Sequence, residues 1–105
     1  MPRELDYTMH VISRKKLVNF CYEYPDAKVS LEAWFHEAIS ANWKNSAQIK
    51  EQFKSASIIS ADRVVFNICG NKFRLVVRIN YVNSTVFIRF IGTHAQYDTI
   101  DAGEI

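Results

Sequence analysis

The stretch FRLVVRINYVNSTVFIRF, from Phe73 to Phe90, decides the fold because its pattern is typical of two β-strands joined by a short turn. Apolar and β-branched residues dominate both halves, and Asn83-Ser84 separates them. We therefore predict a hairpin with strands 73–82 and 85–92 and a two-residue turn.

A third strand precedes this hairpin at 63–69, in the sequence RVVFNIC. It is followed by Gly70-Asn71, a turn signal in which glycine tolerates a positive φ. If both turns contain two residues, counting fixes the register of all three strands.

That register predicts one apolar face, which helices must cover. Its members are Val64, Phe66, Ile68, Phe73, Leu75, Val77, Ile79, Tyr81, Val86, Ile88 and Phe90. The opposite face, here called the arginine face, carries the arginines of the three strands. They are Arg63, Arg74, Arg78 and Arg89.

On the arginine face, counting places Arg78 between Arg63 and Arg89, with Arg74 opposite Asn67 and Thr93. Directly opposed like charges destabilise a sheet, by an amount comparable to the ~0.2–1 kcal/mol of a favourable cross-strand pair. A phosphate lying across the strands would compensate this, because guanidinium groups bind phosphate oxygens in bidentate fashion. The alternative is that tail carboxylates fold back onto the arginines. The candidates are Asp98, Asp101 and Glu104.

Upstream of the sheet, the chain shows one short strand at 10–12 and two or three segments with helical spacing of apolar residues. This order predicts an α+β fold, with an N-terminal short strand and two to three helices packed on one face of a twisted antiparallel sheet. We expect residues 1–8 to form a loose N-terminal extension and residues 9–105 to form a single domain. Met1 and Met9 are both candidate translation starts.

Composition narrows the class of protein. The 105 residues include 13 Lys plus Arg against 11 Asp plus Glu, so a net charge of +2 says little about polyanionic partners. Cys21 and Cys69 lack the spacing of metal ligands, which favours free thiols in a reducing cytoplasm. No apolar run approaches the ~20 residues of a spanning helix, and no secretory signal is evident. We expect a soluble cytoplasmic protein without a membrane association or a cofactor.

The segment GTHAQYD, 92–98, follows the last strand immediately. Thr93 can cap a helical turn that places His94 and Tyr97 on one side, near Arg74. A histidine can exchange a proton with a ribose hydroxyl, while arginines stabilise a pentacovalent phosphate. These are the parts of a metal-free ribonuclease, in which the 2′-hydroxyl attacks phosphorus and no protein nucleophile is needed.

The motifs RVVFNI, GNKFRLV and THAQYD, with the opening MHVISRKKL, resemble the HigB toxins of the RelE/ParE superfamily of bacterial toxin–antitoxin systems. The resemblance extends over almost the whole chain from Met9. It implies the small RelE-like fold and a ribosome-dependent mRNA interferase, an endoribonuclease that cuts mRNA in the ribosomal A site. It also implies neutralisation by a helix-turn-helix antitoxin, HigA.

Carried over by position, the family's GN-x-x-R motif falls on Gly70, Asn71 and Arg74, and its TH-x-x-Y-D motif falls on 93–98. The resemblance implies catalytic roles for His94 as general acid or base, for Arg74 and Arg89 as phosphate ligands, and for Tyr97 as an orienting group. It implies an RNA-binding role for the remaining candidates. These are Asn71, Lys72, Arg63 and Arg78.

Three other functions are compatible with parts of this pattern. A ParE-like toxin that poisons DNA gyrase would not need His94 and Tyr97 beside the arginines. A non-catalytic RNA-binding module would interleave stacking aromatics with its basic residues, whereas most aromatics here fall on the predicted buried face. A toxin fold that has lost its activity and only binds an antitoxin is the last alternative.

Overall fold

The structure, a computed structural model, describes residues 8–105. The predicted extension at residues 1–8 lies outside them except for Thr8, whose N–H donates to the carbonyl of Ile39 at 3.0 Å. In chain order the elements are β1 His10–Ile12, α1 Arg14–Glu23, a 3-10 turn Pro25–Ala27, α2 Lys28–Ser40, α3 Ser46–Gln52, β2 Ser57–Ile58, β3 Arg63–Ile68, β4 Phe73–Asn80, β5 Thr85–Thr93 and α4 His94–Tyr97.

The strands form one five-stranded sheet in the order β1-β5-β4-β3-β2. Strands β2 to β5 pair antiparallel, whereas β1 pairs with β5 in parallel, with His10 opposite Thr85. The predicted α+β architecture is confirmed, but the sheet is mixed. A parallel pair needs a long crossover connection, and the chain between β1 and β5 provides one that contains α1 to α3.

The main core lies between the sheet and α1, α2 and α3, as the apolar face predicts. Phe66 of β3 is 1% exposed, and its ring contacts Trp34, Trp43 and Phe53 at centroid distances of 5.4, 6.3 and 5.0 Å. Met9, just before β1, is also 1% exposed. These side chains bind the helical layer to the centre of the sheet.

A second, smaller apolar cluster lies on the arginine face, where the C-terminal tail packs against the sheet. Val65 and Val76 are buried there beneath Ala102. Four further residues pack around them: Phe90, Tyr97, Ile100 and Ile105. The arginine face therefore carries a buried apolar cluster as well as charged residues.

The β3–β4 register is confirmed residue for residue, with Arg63 opposite Arg78 and Asn67 opposite Arg74. Gly70 adopts the expected positive φ, 67°. The predicted β4–β5 register is wrong. Strand β4 ends at Asn80, where its side chain accepts from the Asn83 N–H at 3.0 Å, so the connection is longer than two residues.

A β-bulge in β5 then moves the register back by one position. Val77 pairs with Ile88 and Val76 pairs with Phe90, so Arg89 is the extra residue. Arg78 lies opposite Phe87 rather than Arg89 because the connection is two residues longer than predicted. Beyond the bulge the difference is one position, so Arg74 lies opposite Gly92 rather than Thr93. The bulge also turns Phe90 away from the helices into the second cluster, while Ile91 packs against the main core in its place.

Within residues 8–105, no helix is long and apolar enough to cross a bilayer.

Candidate functional site

Strand β4 begins beside the end of β5, and this brings several predicted site residues together. Phe73 pairs with Thr93, and the His94 N–H donates to the carbonyl of Lys72 at 3.1 Å. Arg74 lies opposite Gly92, one step further into the sheet. Asn71, Lys72, Arg74 and His94 thus share one end of the sheet, here called the turn-end site.

A capping box fixes α4, the short helix that carries His94. The Thr93 hydroxyl accepts from the Gln96 N–H at 3.1 Å, and the Gln96 side chain accepts from the Thr93 N–H at 2.9 Å. The predicted Thr93 cap is confirmed. Reciprocal capping satisfies two otherwise unpaired donors and so holds His94 at a defined position.

The imidazole of His94 has a carboxylate partner one turn further on. Its Nδ1 lies 3.3 Å from Oδ2 of Asp98, and both side chains are more than half exposed. A carboxylate at this nitrogen orients the ring, which leaves Nε2 for a substrate. His94 is therefore held in a way suited to proton transfer at the surface.

Gly92 permits this arrangement because a side chain at its position would collide with two neighbours. A Cβ there would lie 2.5 Å from Cζ of Phe90 and 2.7 Å from Oε1 of Gln96. The Phe90 ring and the capping glutamine both occupy the space that glycine leaves open. Close approach, rather than a positive φ, explains this glycine.

Arg74 is the sheet arginine of the turn-end site. Its Nη1 donates to the carbonyls of Asn71 and Phe73 at 3.1 and 3.2 Å. No carboxylate within residues 8–105 pairs with it. Its guanidinium is thus positioned by neutral acceptors, and its charge remains available to an anion.

Lys72 forms an ion pair with Asp26, from the turn between α1 and α2. The hydrogen bond from Lys72 lowers the pKa of the Asp26 carboxyl, and the same bond raises the pKa of the Lys72 ammonium. Both side chains are more than half exposed. Solvent and salt screen this pair, so it can exchange partners.

Arg63 and Arg78 lie at the opposite end of the arginine face. Arg78 is four positions further along β4 than Arg74, a span of about 13 Å. Asp62 joins the two arginines: its Oδ2 lies 3.4 Å from Nη1 of Arg63 and 3.2 Å from Nε of Arg78. The hydrogen bond from Arg78 is the main cause that lowers the pKa of Asp62.

Asp62 therefore offsets the repulsion between the opposed arginines from within the protein. The tail does fold back, as the carboxylate alternative predicts, but Asp62 supplies the charge. Asp98 pairs with His94, and the tail contributes the main-chain oxygen of Ile105, which accepts from Arg63 at 3.1 Å. The Arg63 side chain is only 14% exposed, whereas that of Arg78 is 43% exposed.

Arg89 is apart from both groups. It is exposed at the bulge and lines a shallow depression with Lys16, Asn19 and Glu23 of α1. Tyr97 borders the turn-end site but is partly buried in the second apolar cluster. The structure thus brings together Asn71, Lys72, Arg74 and His94, and it separates Arg63, Arg78 and Arg89 from them.

Two residues that partner the candidate cations were not found by sequence reasoning. Asp26 belongs to a helix connection, and no local pattern links it to Lys72, 46 positions away. Asp62 immediately precedes Arg63, so a carboxylate at the start of a strand rich in opposed arginines was an available signal.

Comparison with known proteins complements this geometry. Residues 27–100 match the family described as HigB_toxin, the RelE-like toxic component of a toxin-antitoxin system. The chain belongs to the HigB toxin family. The match includes β2 to β5, all of α4 and every residue of the turn-end site.

HigB relatives of known name are similar over nearly their full length. The mRNA interferase toxin HigB of Escherichia coli K12 is 29% identical over 96 residues, which cover 90% of this chain and 92% of that protein. The mRNA interferase HigB of Shigella flexneri shows the same values. The mRNA interferase HigB of Escherichia coli O6:H1 is 23% identical over 94 residues, 88% of this chain and 91% of that protein.

Proposed function

We propose that this HigB-family toxin is a ribosome-dependent mRNA interferase that cleaves translated mRNA without a metal and is neutralised by a HigA-type helix-turn-helix antitoxin. The observation that carries the proposal is the turn-end site, in which His94, oriented by Asp98, shares one end of the sheet with Arg74. The relatives named mRNA interferase HigB support the same reaction.

In this reaction the 2′-hydroxyl of the substrate attacks the adjacent phosphorus, so an O2′–P bond forms and the P–O5′ bond breaks. The 2′-hydroxyl loses a proton and the 5′-oxygen gains one. His94 is the group able to carry such a proton, through Nε2, because Nδ1 faces Asp98. Arg74 stabilises the charge that develops on the phosphate oxygens.

The other candidates have supporting roles in this proposal. Asn71 and Lys72 hold the RNA backbone next to the scissile phosphate, and Tyr97 orients it. Arg78, half-exposed beside Phe87, contacts RNA further along the face. Arg63 contacts RNA after release from Asp62 and the main-chain oxygen of Ile105. Arg89 contacts a phosphate where the RNA reaches the bulge in β5.

Dependence on the ribosome is supported by the carboxylates that already neutralise several of these cations within the protein. Lys72, Arg63 and Arg78 each have a carboxylate partner, and the net charge is only +2. Affinity for free RNA depends on the number of phosphates that Lys and Arg neutralise. A ribosome that presents the mRNA would compensate for this weak intrinsic affinity.

The test is induced expression without antitoxin of wild type, His94→Ala, Arg74→Ala and the control Lys54→Ala, an exposed charge beyond the end of α3. Growth and mRNA 5′ ends are recorded. We expect arrest and in-frame cuts for wild type and the control, and cleavage reduced about 10²-fold or more in the two site variants. Circular dichroism verifies that the variants fold.

Purified RNA without ribosomes should remain uncut. Cuts of unchanged frequency in His94→Ala would contradict the assigned site. Growth arrest with intact mRNA and accumulating DNA breaks would instead establish the gyrase-poisoning function. Antitoxin binding without arrest or cleavage would show a toxin fold that has lost its activity.

A further inference from the structure

An apolar groove lies between α1 and α2, and none of its lining residues belongs to the turn-end site. Its volume is about 450 Å³. The apolar residues that line it are Leu17, Val18, Cys21, Tyr22, Leu31 and Phe35. None of them is used by the proposed reaction.

The groove is built from helical repeats. Leu17 and Cys21 on α1, and Leu31 and Phe35 on α2, are each four residues apart and so lie on facing sides of the two helices. Such a channel between two helices has the shape that accepts an apolar helix face in helix-in-groove recognition.

Exposed apolar surface extends beyond the cavity itself. Val18 and Tyr22, both in the groove wall, are 43% and 82% exposed. A small ligand inside the cavity would leave this surface in water. Its extent points to a macromolecular partner, because soluble domains rarely leave a contiguous apolar patch uncovered without an interaction to make there.

The charges at the rim indicate which kind of partner helix fits. Arg14 and Lys28 line the groove against a single acid, Glu32. The Arg14 guanidinium lies over the Phe35 ring, 4.1 Å from its centroid, so it covers one wall and presents its charge at the groove's edge.

We propose that this groove docks an amphipathic helix of the antitoxin, with an apolar stripe flanked by carboxylates. The family is the toxic half of a two-component system, so an antitoxin is the one protein partner that membership implies. This inference rests on the antitoxin partner proposed above and adds to it the surface, the secondary structure and the charge of the contact.

The first test compares two identical substitutions of exposed valines. Val18→Asp alters the groove, and Val82→Asp alters the β4–β5 connection, where Val82 is 94% exposed. Both are made in the non-toxic His94→Ala protein, and the affinity for purified antitoxin is measured by calorimetry. We expect Val18→Asp to weaken binding about tenfold or more, as truncation of central contacts does, and Val82→Asp to leave it unchanged.

A second pair tests the charge. Lys28→Glu at the rim should weaken binding, whereas Lys54→Glu beyond α3 should not. Because all four positions are exposed, circular dichroism and thermal melting of the free variants should match the parent.

The two cysteines give an independent measurement with an internal control. Cys21 lines the groove, and Cys69 lies in the β3–β4 turn beside the turn-end site. Both thiols are free. Antitoxin should slow maleimide labelling of Cys21 about fivefold or more and leave Cys69 unaffected, since labelling rates depend on access to the thiolate.

The outcomes separate this inference from the function on which it rests. Failure of the unsubstituted protein to bind antitoxin would overturn both the partner and the groove. Equal binding of Val18→Asp and Val82→Asp, or protection of Cys69 alone, would overturn only the groove. A dimer of the free protein that Val18→Asp dissociates, with antitoxin binding unchanged, would assign the groove to a second copy of the chain.

Discussion

The carboxylate of Asp62 is expected to stabilise the fold by holding two directly opposed arginines together. Asp62→Asn keeps the shape of the side chain and the acceptor for the Ser60 hydroxyl, which donates to Oδ1 at 3.1 Å. It also keeps the main-chain carbonyl that accepts from the Ile79 N–H at 2.8 Å. The negative charge between Arg63 and Arg78 is removed, and an amide nitrogen, which cannot accept a hydrogen bond, replaces the oxygen that both arginines contact.

The magnitude follows from two contacts of unequal exposure. Hydrogen bonds to charged groups contribute about 1.5–3 kcal/mol when shielded, and exposed ion pairs contribute about 0.2–1 kcal/mol. Asp62 and Arg78 are 42% and 43% exposed, so their pair belongs to the lower range, while Arg63 is 14% exposed. We expect Asp62→Asn to lower the free energy of unfolding by about 1–2 kcal/mol. For a domain of this size, each kcal/mol corresponds to about 4–8 °C in Tm.

Acid should remove this difference. The folded-state pKa of Asp62 is lowered from its ordinary 3.8, so its stabilisation is present above pH 3.8 and is lost as pH falls through the lower folded value. Urea denaturation of both proteins at pH 7 and at successively lower pH measures this, with Glu51→Gln on α3 as a charge-matched control. Equal stability at pH 7, or a difference that persists at the acid end, would refute the assignment of Asp62 as the compensating charge.

Two further predictions concern the turn-end site. Asp98→Asn should reduce mRNA cleavage about tenfold, because the His94 imidazole loses its orienting carboxylate but remains present. This loss is smaller than the ~10²–10⁴-fold contribution of acid–base catalysis itself. The frequency of mRNA cuts measures the effect, and the affinity for antitoxin should not change. Asp26→Asn should release Lys72, strengthen binding of the isolated protein to single-stranded RNA about twofold to fivefold, and steepen its salt dependence by about one phosphate contact. Fluorescence anisotropy tests this against Glu51→Gln, and a change shared by both variants would reflect net charge alone.

The sheet shows where prediction from sequence succeeds and where it fails. The β3–β4 register could be counted because its turn is local and Gly70 supplies the positive φ. The β4–β5 connection could not, because Ser84 adopts φ 53° and its carbonyl accepts from the His10 N–H at 2.9 Å. The end of that hairpin therefore depends on a strand more than seventy positions earlier, which no local turn rule includes.

The candidate site divides in the same way. The Thr93 cap and the proximity of His94 to Arg74 were predictable, since each depends on neighbours in sequence or on the end of a strand pair. The partners of the cations were not, because Asp26 reaches Lys72 across the fold. Val65 and Val76, alternating with the arginines, were an unused signal for the apolar tail cluster.

The extra residue at Arg89 has a consequence for how this chain tolerates changes in length. Side chains in a strand alternate between faces, so one residue inserted or removed in β5 exchanges the two sides for everything that follows. Arg89 does not follow this rule, because it is the unpaired residue of the bulge: without it Phe90 would directly follow Ile88, still pair with Val76 on the tail side, and leave Ile91 on the helical side. The bulge should therefore accept a one-residue deletion that the paired positions of β5 do not, and α4 should begin at the same place in the fold without it.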